Sequence, residues 1–407
     1  MCANGLLVYG QVAMSRIAGY ILSEVLQAFA LTLLVMTGFV LLAVVGVEAV
    51  REGLSFSAVV QLIPYSLPMA LRFTVPGTML FAVCSVYGRM SDANEVTALR
   101  ALGIPPWTLM RPTIVVSIVI SALTVWLNDV AVSWGTAGIN RVILQSVEQI
   151  IYGRLQTQRS YSNQRGLTIL VQDVQDRRLI NPALTYQPKD GSSPISIFAQ
   201  EAELRLDENA TALVILFRNM QVESEQVRGD VPGEFRFEIP LALAARKDRH
   251  GRTPSDIPMR ELARELRTTQ QLLARKEHQL SALVALDLAT GRFDRLEKEG
   301  WGRSLEELQS LRGRLYRLLA EPWRRWAAGF SCLAFVMVGI PLAILLRTAD
   351  TWTTFGLCFL PILVVYYPLF MAGIDRAKAG AAPPVVVWGG NLLLMAIGLW
   401  LIRRANR

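Results

Sequence analysis

Two kinds of hydrophobic pattern alternate along the chain. The first is an apolar run long enough for a membrane helix, which needs roughly 20 mainly apolar residues. Such runs cover about Ile21 to Val47, Ser57 to Val86, Trp107 to Val130, Trp326 to Leu346, Thr353 to Ala372 and Pro384 to Ile402. They predict a polytopic α-helical membrane protein with about six transmembrane helices. The second pattern fills the gap between the third and fourth runs. From about Gly135 to Ala245, stretches such as GLTILVQDV, ISIFAQEAELRLD, ATALVILFRNMQVESEQ and GEFRFEIPL are separated by the turn formers NP, KDGSSP and DENA. Short alternating or β-branched stretches at that spacing predict an inserted β-rich domain, either a sandwich or an open curved sheet. Alternation in FRFEI puts Phe235, Phe237 and Ile239 on one face. That face serves core packing or, alternatively, an apolar ligand track.

The pattern changes once more before the apolar runs return. Two helix-forming blocks with a Gly-containing break read as a helical hairpin or short coiled coil, or as charge-laced solvated helix. Ser255 or Asp256 can cap the first block, and Ser304 with Glu307 fits a capping box for the second. The expected organisation is transmembrane helices 1–3 in residues 1–134, the β-rich domain in 135–250, the helical hairpin insertion in 251–322 and helices 4–6 in 323–407.

Three features inside the runs bear on function. Pro64, Pro68 and Pro76 remove backbone donors from the second run and predict an interfacial turn followed by a bent span. Arg72 lies in the same run, where a charge at the centre of an isolated span costs about 2.5–3.5 kcal/mol. It can snorkel to the interface, pair with an acid inside, or contact a ligand. Glu24 and Gln27 can reach the interface or a partner, and Asp129 reads as interfacial.

Composition agrees with a membrane protein. Of 407 residues, 52% are hydrophobic and only 18% charged, with a mean hydropathy of +0.35. The net charge of +8 does not come from a dense Lys/Arg block, and no nucleic-acid reader motif is present, so nucleic acid is not an expected partner. Scattered arginines beside apolar spans suit anionic lipid head groups better. Cys2, Cys84, Cys332 and Cys358 show neither metal-ligand spacing nor a disulfide framework, and His250 and His278 stand far apart. No metal site is expected, and no cofactor in this chain. The first run lacks a small-residue cleavage pattern and reads as a retained membrane helix. No GxxxxGK[ST] phosphate loop occurs, so any ATP hydrolysis must come from a separate subunit. Arg403, Arg404 and Arg407, together with Arg89, Arg111 and Arg347, place both termini and the first loop on the cytosolic side and the polar middle outside, although Arg324, Arg325 and the DRAKAG loop depart from that rule.

The connection between the second and third runs, YGRMSDANEVTALRALGIPPWTLMRP, has more order than a tether needs. Ser91 or Asp92 can cap a helix with Glu95 in its first turn, and Gly103 with Pro105 and Pro106 stops it. Val96, Leu99 and Gly103 bracket a short amphipathic surface, flanked by Arg89, Arg100 and Arg111. Such a helix can dock against a soluble protein or simply lie on lipid.

This segment resembles the cytosolic coupling region of the LptF/LptG permease family, through Arg89, Asp92, Glu95, Thr97, Ala98, Leu99, Arg100, Ala101 and Gly103. GIPLAILLR, Gly339 to Arg347, resembles the family's segment at the cytosolic end of the fourth span, and the order of spans and β-rich domain is similar as well. The resemblance covers most of the chain. It implies a non-catalytic permease subunit of an ABC transporter in a bacterial inner membrane, with a periplasmic β-jellyroll-like domain. It implies that the complex extracts lipopolysaccharide and passes it to a periplasmic bridge. The implied partners are an LptB-like ATPase dimer that binds ATP and Mg, a second LptF/LptG-like permease, and an LptC-like or other bridge protein. ATPase coupling would fall to Arg89, Asp92, Glu95, Thr97, Leu99, Arg100 and Gly103, with Glu95 foremost. Arg51, directly after the first span, and Arg72 are lipid-binding candidates; Glu48 beside Arg51 can instead neutralise it. The helical insertion is longer than the family usually has. A permease for another lipid or a lipoprotein, a non-transporting membrane-anchored interaction module, and an intramembrane enzyme are the alternatives, the last without paired acids or a His motif in the spans.

Overall fold

The computed structural model describes residues 2–52, 56–136, 253–291, 298–346 and 351–406, with short pieces between 138 and 159 and the strand residues between 160 and 240. Among these, six helices are long and apolar enough to cross a membrane. The chain divides into two compact units. One comprises Met1–Val40, Leu67–Ser133 and Thr253–Arg407; the other comprises Leu41–Ser66 and Trp134–Arg252.

The helical unit is built from α1 (Cys2–Glu52), α2 (Phe56–Asp92), α3 (Glu95–Ala101), α4 (Pro106–Val130), α5 (Met259–Ala289), α6 (Lys298–Leu346), α7 (Thr351–Pro361), α8 (Tyr367–Lys378) and α9 (Gly389–Asn406). The end of α1 and the start of α2 belong to the second unit, and each helix is unbroken over its described length. Pro64, Pro68 and Pro76 do not break α2, contrary to the expected interfacial turn. Thr74 and Thr78 hydroxyls bond back to the Ala70 and Thr74 carbonyls one turn earlier, so these buried hydroxyls are satisfied within the helix. A π-helical turn, Ile362–Tyr366, joins α7 to α8 after Pro361, so the fifth span is continuous too.

Close approach of α4 and α6 follows from sequence. Thr113, Ser117, Ser121, Thr124 and Asn128 recur every three or four residues and are all buried on one face of α4. Small side chains let backbones approach without lost packing. A Cβ added at Gly329 on α6 would sit 2.3 Å from Val125 Cγ2 and 3.2 Å from the Ser121 carbonyl oxygen, and the Leu333 amide donates to Ser121 Oγ at 3.1 Å. Around this seam Ile21, Met79, Tyr87, Met110, Cys332 and Val336 form one apolar core.

The helical insertion is a hairpin of α5 against the first half of α6. Ile257, Leu262 and Leu318 close its base. Lys276–Glu307 at 2.8 Å and Arg312–Glu277 at 2.8 Å cross its outer part. Exposed pairs of this kind contribute about 0–1 kcal/mol each, so the apolar base and the connection to the spans matter more. The second arm runs into the fourth span without a break, and Ser304 lies inside α6 rather than capping it. Ser255 and Asp256 do not cap α5 either. They form a 3-10 turn, and the first amide of α5, Met259, donates instead to Asp129 Oδ1 at 2.8 Å. An acid on a neighbouring span thus supplies the helix with its acceptor.

The second unit contains an eight-stranded antiparallel sheet: β1 (Ser160–Ser162), β2 (Leu167–Leu170), β3 (Asp173–Gln175), β4 (Arg178–Ile180), β5 (Ala183–Tyr186), β6 (Ile195–Leu206), β7 (Ala212–Glu223) and β8 (Arg228–Pro240). One edge of β6 pairs with β7 along its length. The other changes partner, from β5 at Ile195–Phe198 to β4 at Glu201–Glu203. At that handover the inward positions shift parity: Ile197 is buried before it and Ala202 and Leu204 after it on β6, and Ile215 and Phe217 change to Met220 on β7. Asn219 takes a left-handed φ of 50° there, and the β7/β8 register slips between Arg218 and Met220. The result is a crease across the strands. Buried Ile169, Leu179, Leu184, Ile215 and Phe217 form the core on one face, with Tyr152 and Leu155 packed against it. Phe235 stands opposite Phe217, but is 40% exposed against 1% for Phe217. The Phe237 and Ile239 side chains lie outside the described residues.

Candidate coupling site

The connection from α2 to α4 is a seven-residue helix held on three sides. Its start differs from the sequence expectation. Ser91 and Asp92 belong to the end of α2, and the N-cap is Asn94, in a left-handed conformation with φ 59° and no side-chain cap bond. The reason is packing: Ser91 is buried and donates to the Ile344 carbonyl at 2.9 Å, so its hydroxyl is committed to α6 and not to a helix start. The stop agrees with expectation. Gly103 has φ 81°, its amide bonds to the Arg100 carbonyl at 2.8 Å, and the Ile104 amide reaches back to the Leu99 carbonyl at 3.1 Å. This pair of bonds is the Schellman arrangement, which favours glycine because only it takes that φ without a Cβ penalty.

Two faces of α3 are distinct. Val96 is buried and Leu99 half-buried in the core that holds Met90, Leu109 and Ile344. Thr97, Ala98, Ala101 and Leu102 are exposed, Leu102 at 76%. The bracket of Val96 and Leu99 is therefore the inward face, and the outward one is made of short side chains around one projecting leucine. Below it, Arg100 donates to the Ala405 carbonyl at the end of α9, and the Trp107 amide donates to Asn406 Oδ1 at 3.1 Å. Arg100 thus finds its partner in a backbone oxygen that no charge pattern could have revealed.

The helices on either side of α3 are tied together. The buried Tyr87 hydroxyl of α2 donates to the Leu109 carbonyl of α4 at 2.9 Å and lies 2.8 Å from Thr113 Oγ1. Arg89 pairs with Glu24 of α1. Asp92 is exposed at the end of α2 and Glu95 half-buried at the start of α3. Arg89, Asp92, Glu95, Thr97, Leu99, Arg100 and Gly103 therefore share one stretch of surface and its immediate support. Gly339 of the second motif contributes by close approach, since a Cβ there would meet Leu80 Cδ1 at 2.7 Å. Arg347 lies outside the described residues.

Of the two lipid-binding candidates, only Arg72 has a described side chain. Arg51 ends α1, and its side chain lies outside the described residues. Arg72 is half-buried on α2, its guanidinium 4.5 Å from the Phe73 ring centre. Its Nε is buried without a hydrogen-bond partner among the described residues, and Arg324, Arg325 and Glu321 lie within electrostatic range. Sequence reading missed those three as a group. Glu321 and Arg325 are 1% and 3% exposed. Arg325 Nε donates to Glu321 Oε1 at 3.1 Å, Nη1 to Asp129 Oδ1 at 3.4 Å, and Nη2 to the carbonyls of Ser255 at 3.2 Å and Ile257 at 2.7 Å. Asp129 is accordingly a network residue and not merely interfacial. The i, i+4 spacing of Glu321 and Arg325 beside an apolar run was the available signal.

No individual curated protein matches the chain. The family described as lipopolysaccharide export system permease LptF/LptG matches residues 19–404, nearly the whole length. With six apolar helices, an inserted antiparallel sheet and the α2–α3–α4 connection in place, the chain belongs to the LptF/LptG family of lipopolysaccharide export permeases.

Proposed function

We propose that this chain is the membrane subunit through which a separate ATPase drives lipid out of a bacterial inner membrane, and that α3 is where the two meet. The observation that carries the reading is the division of α3 into a locked face and an open one. Val96 and Leu99 fix it to the core, Tyr87 ties α2 to α4, and Arg100 rests on α9. A force on the open face of Thr97, Ala98, Ala101 and Leu102 passes directly into three spans. Short side chains admit a groove wall, and Leu102 supplies the apolar anchor that interfaces concentrate their energy on. Nucleotide and magnesium belong to the ATPase, an LptB-like dimer. A second LptF/LptG-like permease completes the lipid cavity, and an LptC-like bridge receives the lipid from the β domain on the periplasmic side. Arg51, directly after the first span, and secondarily Arg72 are the cations for a lipid phosphate.

The test is a change on the open face. Leu102→Glu leaves the core untouched, because the side chain is exposed. Co-purified from native membranes in mild detergent, this variant should lose the ATPase at least ten-fold while retaining the second permease. Undiminished recovery of the ATPase, with normal lipid export, would sink the assignment.

A further inference from the structure

The crease in the sheet borders a concavity of about 470 Å³, into which core residue Met220 and its neighbour Ala199 also reach. Its wall is mixed: Phe198, 42% exposed, stands with Pro182, Ala199, Met220 and Pro232 beside the amides of Asn181, Gln200, Asn219 and Gln221 and the carboxylate of Asp230. No Lys or Arg lines it among the described residues. Three of the four amides, Asn181, Gln200 and Asn219, are held in place. Asn219 Nδ2 donates to Gln200 Oε1 at 3.0 Å, and its Oδ1 accepts from the Gly233 amide at 3.1 Å. Asn181, also left-handed at φ 47°, donates from its Nδ2 to Gln172 Oε1 at 2.6 Å, and its own amide bonds to the Gln200 carbonyl at 2.9 Å. Each side-chain amide carries two donors and two acceptor lone pairs, so these bonds orient the groups and leave capacity towards the hollow.

We propose that this concavity binds an uncharged hexopyranose unit of a saccharide. Neutral, oriented donor–acceptor pairs match vicinal hydroxyls, which also donate and accept. An exposed ring matches the apolar C–H face of a pyranose. The lack of a cationic lining disfavours phosphate, and an acyl chain would leave the four amides and the Asp230 carboxylate without partners. The size suits a ligand of one or two sugar rings, at the lower end of ordinary small-molecule sites. The site goes beyond the coupling reading and stands or falls without it, since none of its residues is near α3 in sequence.

The experiment uses the full chain in a detergent without a sugar head group. Saturation-transfer NMR is recorded with maltotriose and with lipid-free lipopolysaccharide core oligosaccharide as probes, and phosphate binding is followed by ³¹P line broadening. Binding of at least one saccharide, strongest at ring protons, is expected, with no effect of phosphate. Phe198→Ala and Gln221→Ala both change exposed side chains. Each should weaken saccharide binding about ten-fold without lowering the unfolding midpoint, the size expected for loss of one stacking or hydrogen-bonding partner. Absence of transfer to either saccharide, equal transfer in the parent and both variants, or preferential binding of phosphate would overturn the proposal.

Discussion

Replacing Arg325 by Ala tests whether the buried polar network holds the hairpin to the spans. Arg325 is 3% exposed and reaches four acceptors: Glu321, Asp129 and the carbonyls of Ser255 and Ile257. Its loss leaves the Glu321 carboxylate, 1% exposed, with Arg324 as its remaining partner, bonded from Nε at 2.9 Å. Removing one member of a buried pair costs about 3–5 kcal/mol, because the other charge stays desolvated. The contact to Asp129, at 3.4 Å, adds little, whereas the 2.7 Å bond to the Ile257 carbonyl is well formed. The net loss should therefore lie near the lower end, about 3 kcal/mol. Arg325→Lys keeps the charge but not the fork, and should recover only part of it. The assay is denaturant unfolding in micelles followed by tryptophan fluorescence, combined with proteolysis of the segment around Ser255. Arg325→Ala should also make that segment more susceptible to cleavage. If Arg325→Ala stays within about 1 kcal/mol of the parent, the network is not holding the structure as described.

Three further outcomes are expected. Gly329→Ala would ordinarily stabilise a helix by up to about 1 kcal/mol, but here the clash with Val125 and the Ser121 carbonyl should win and cost about 1–3 kcal/mol, read from unfolding midpoints. Tyr87→Phe removes the buried hydroxyl that links α2 to α4 and should cost about 1–2 kcal/mol; a neutral change would show that the link is dispensable. Gly103→Ala strains the left-handed stop of α3 and should cost roughly 1 kcal/mol, read from the unfolding midpoint; an unchanged midpoint would show that the stop tolerates a Cβ.

Much of this architecture was legible because two periods dominate the chain. Apolar runs located the spans, and alternation located the sheet. The stop of α3 was legible too, since Gly103 and Pro105–Pro106 act locally. Its start was not. Ser91 has the composition of a cap, but its hydroxyl goes to Ile344, more than 250 positions away in sequence, and no local rule sees such a partner. The same holds for Arg100 on Ala405 and for Asp129 capping α5. Pro64, Pro68 and Pro76 misled in the opposite direction: each weakens a helix locally, yet α2 continues through all of them. Asn219 and Asn181 gave a faint signal, because asparagine tolerates left-handed backbone, but only the pairing of β6 with two successive partners shows why a crease lies there.

The unbroken run of α6 has a mechanical consequence. Its 49 residues extend about 74 Å at 1.5 Å per residue. A hydrocarbon layer takes up only about 30 Å, so the helix is more than twice as long as a crossing requires, and its first half packs against α5. The hairpin and the fourth span therefore share one continuous hydrogen-bonded helix, and Pro322 marks where that helix is weakest between them.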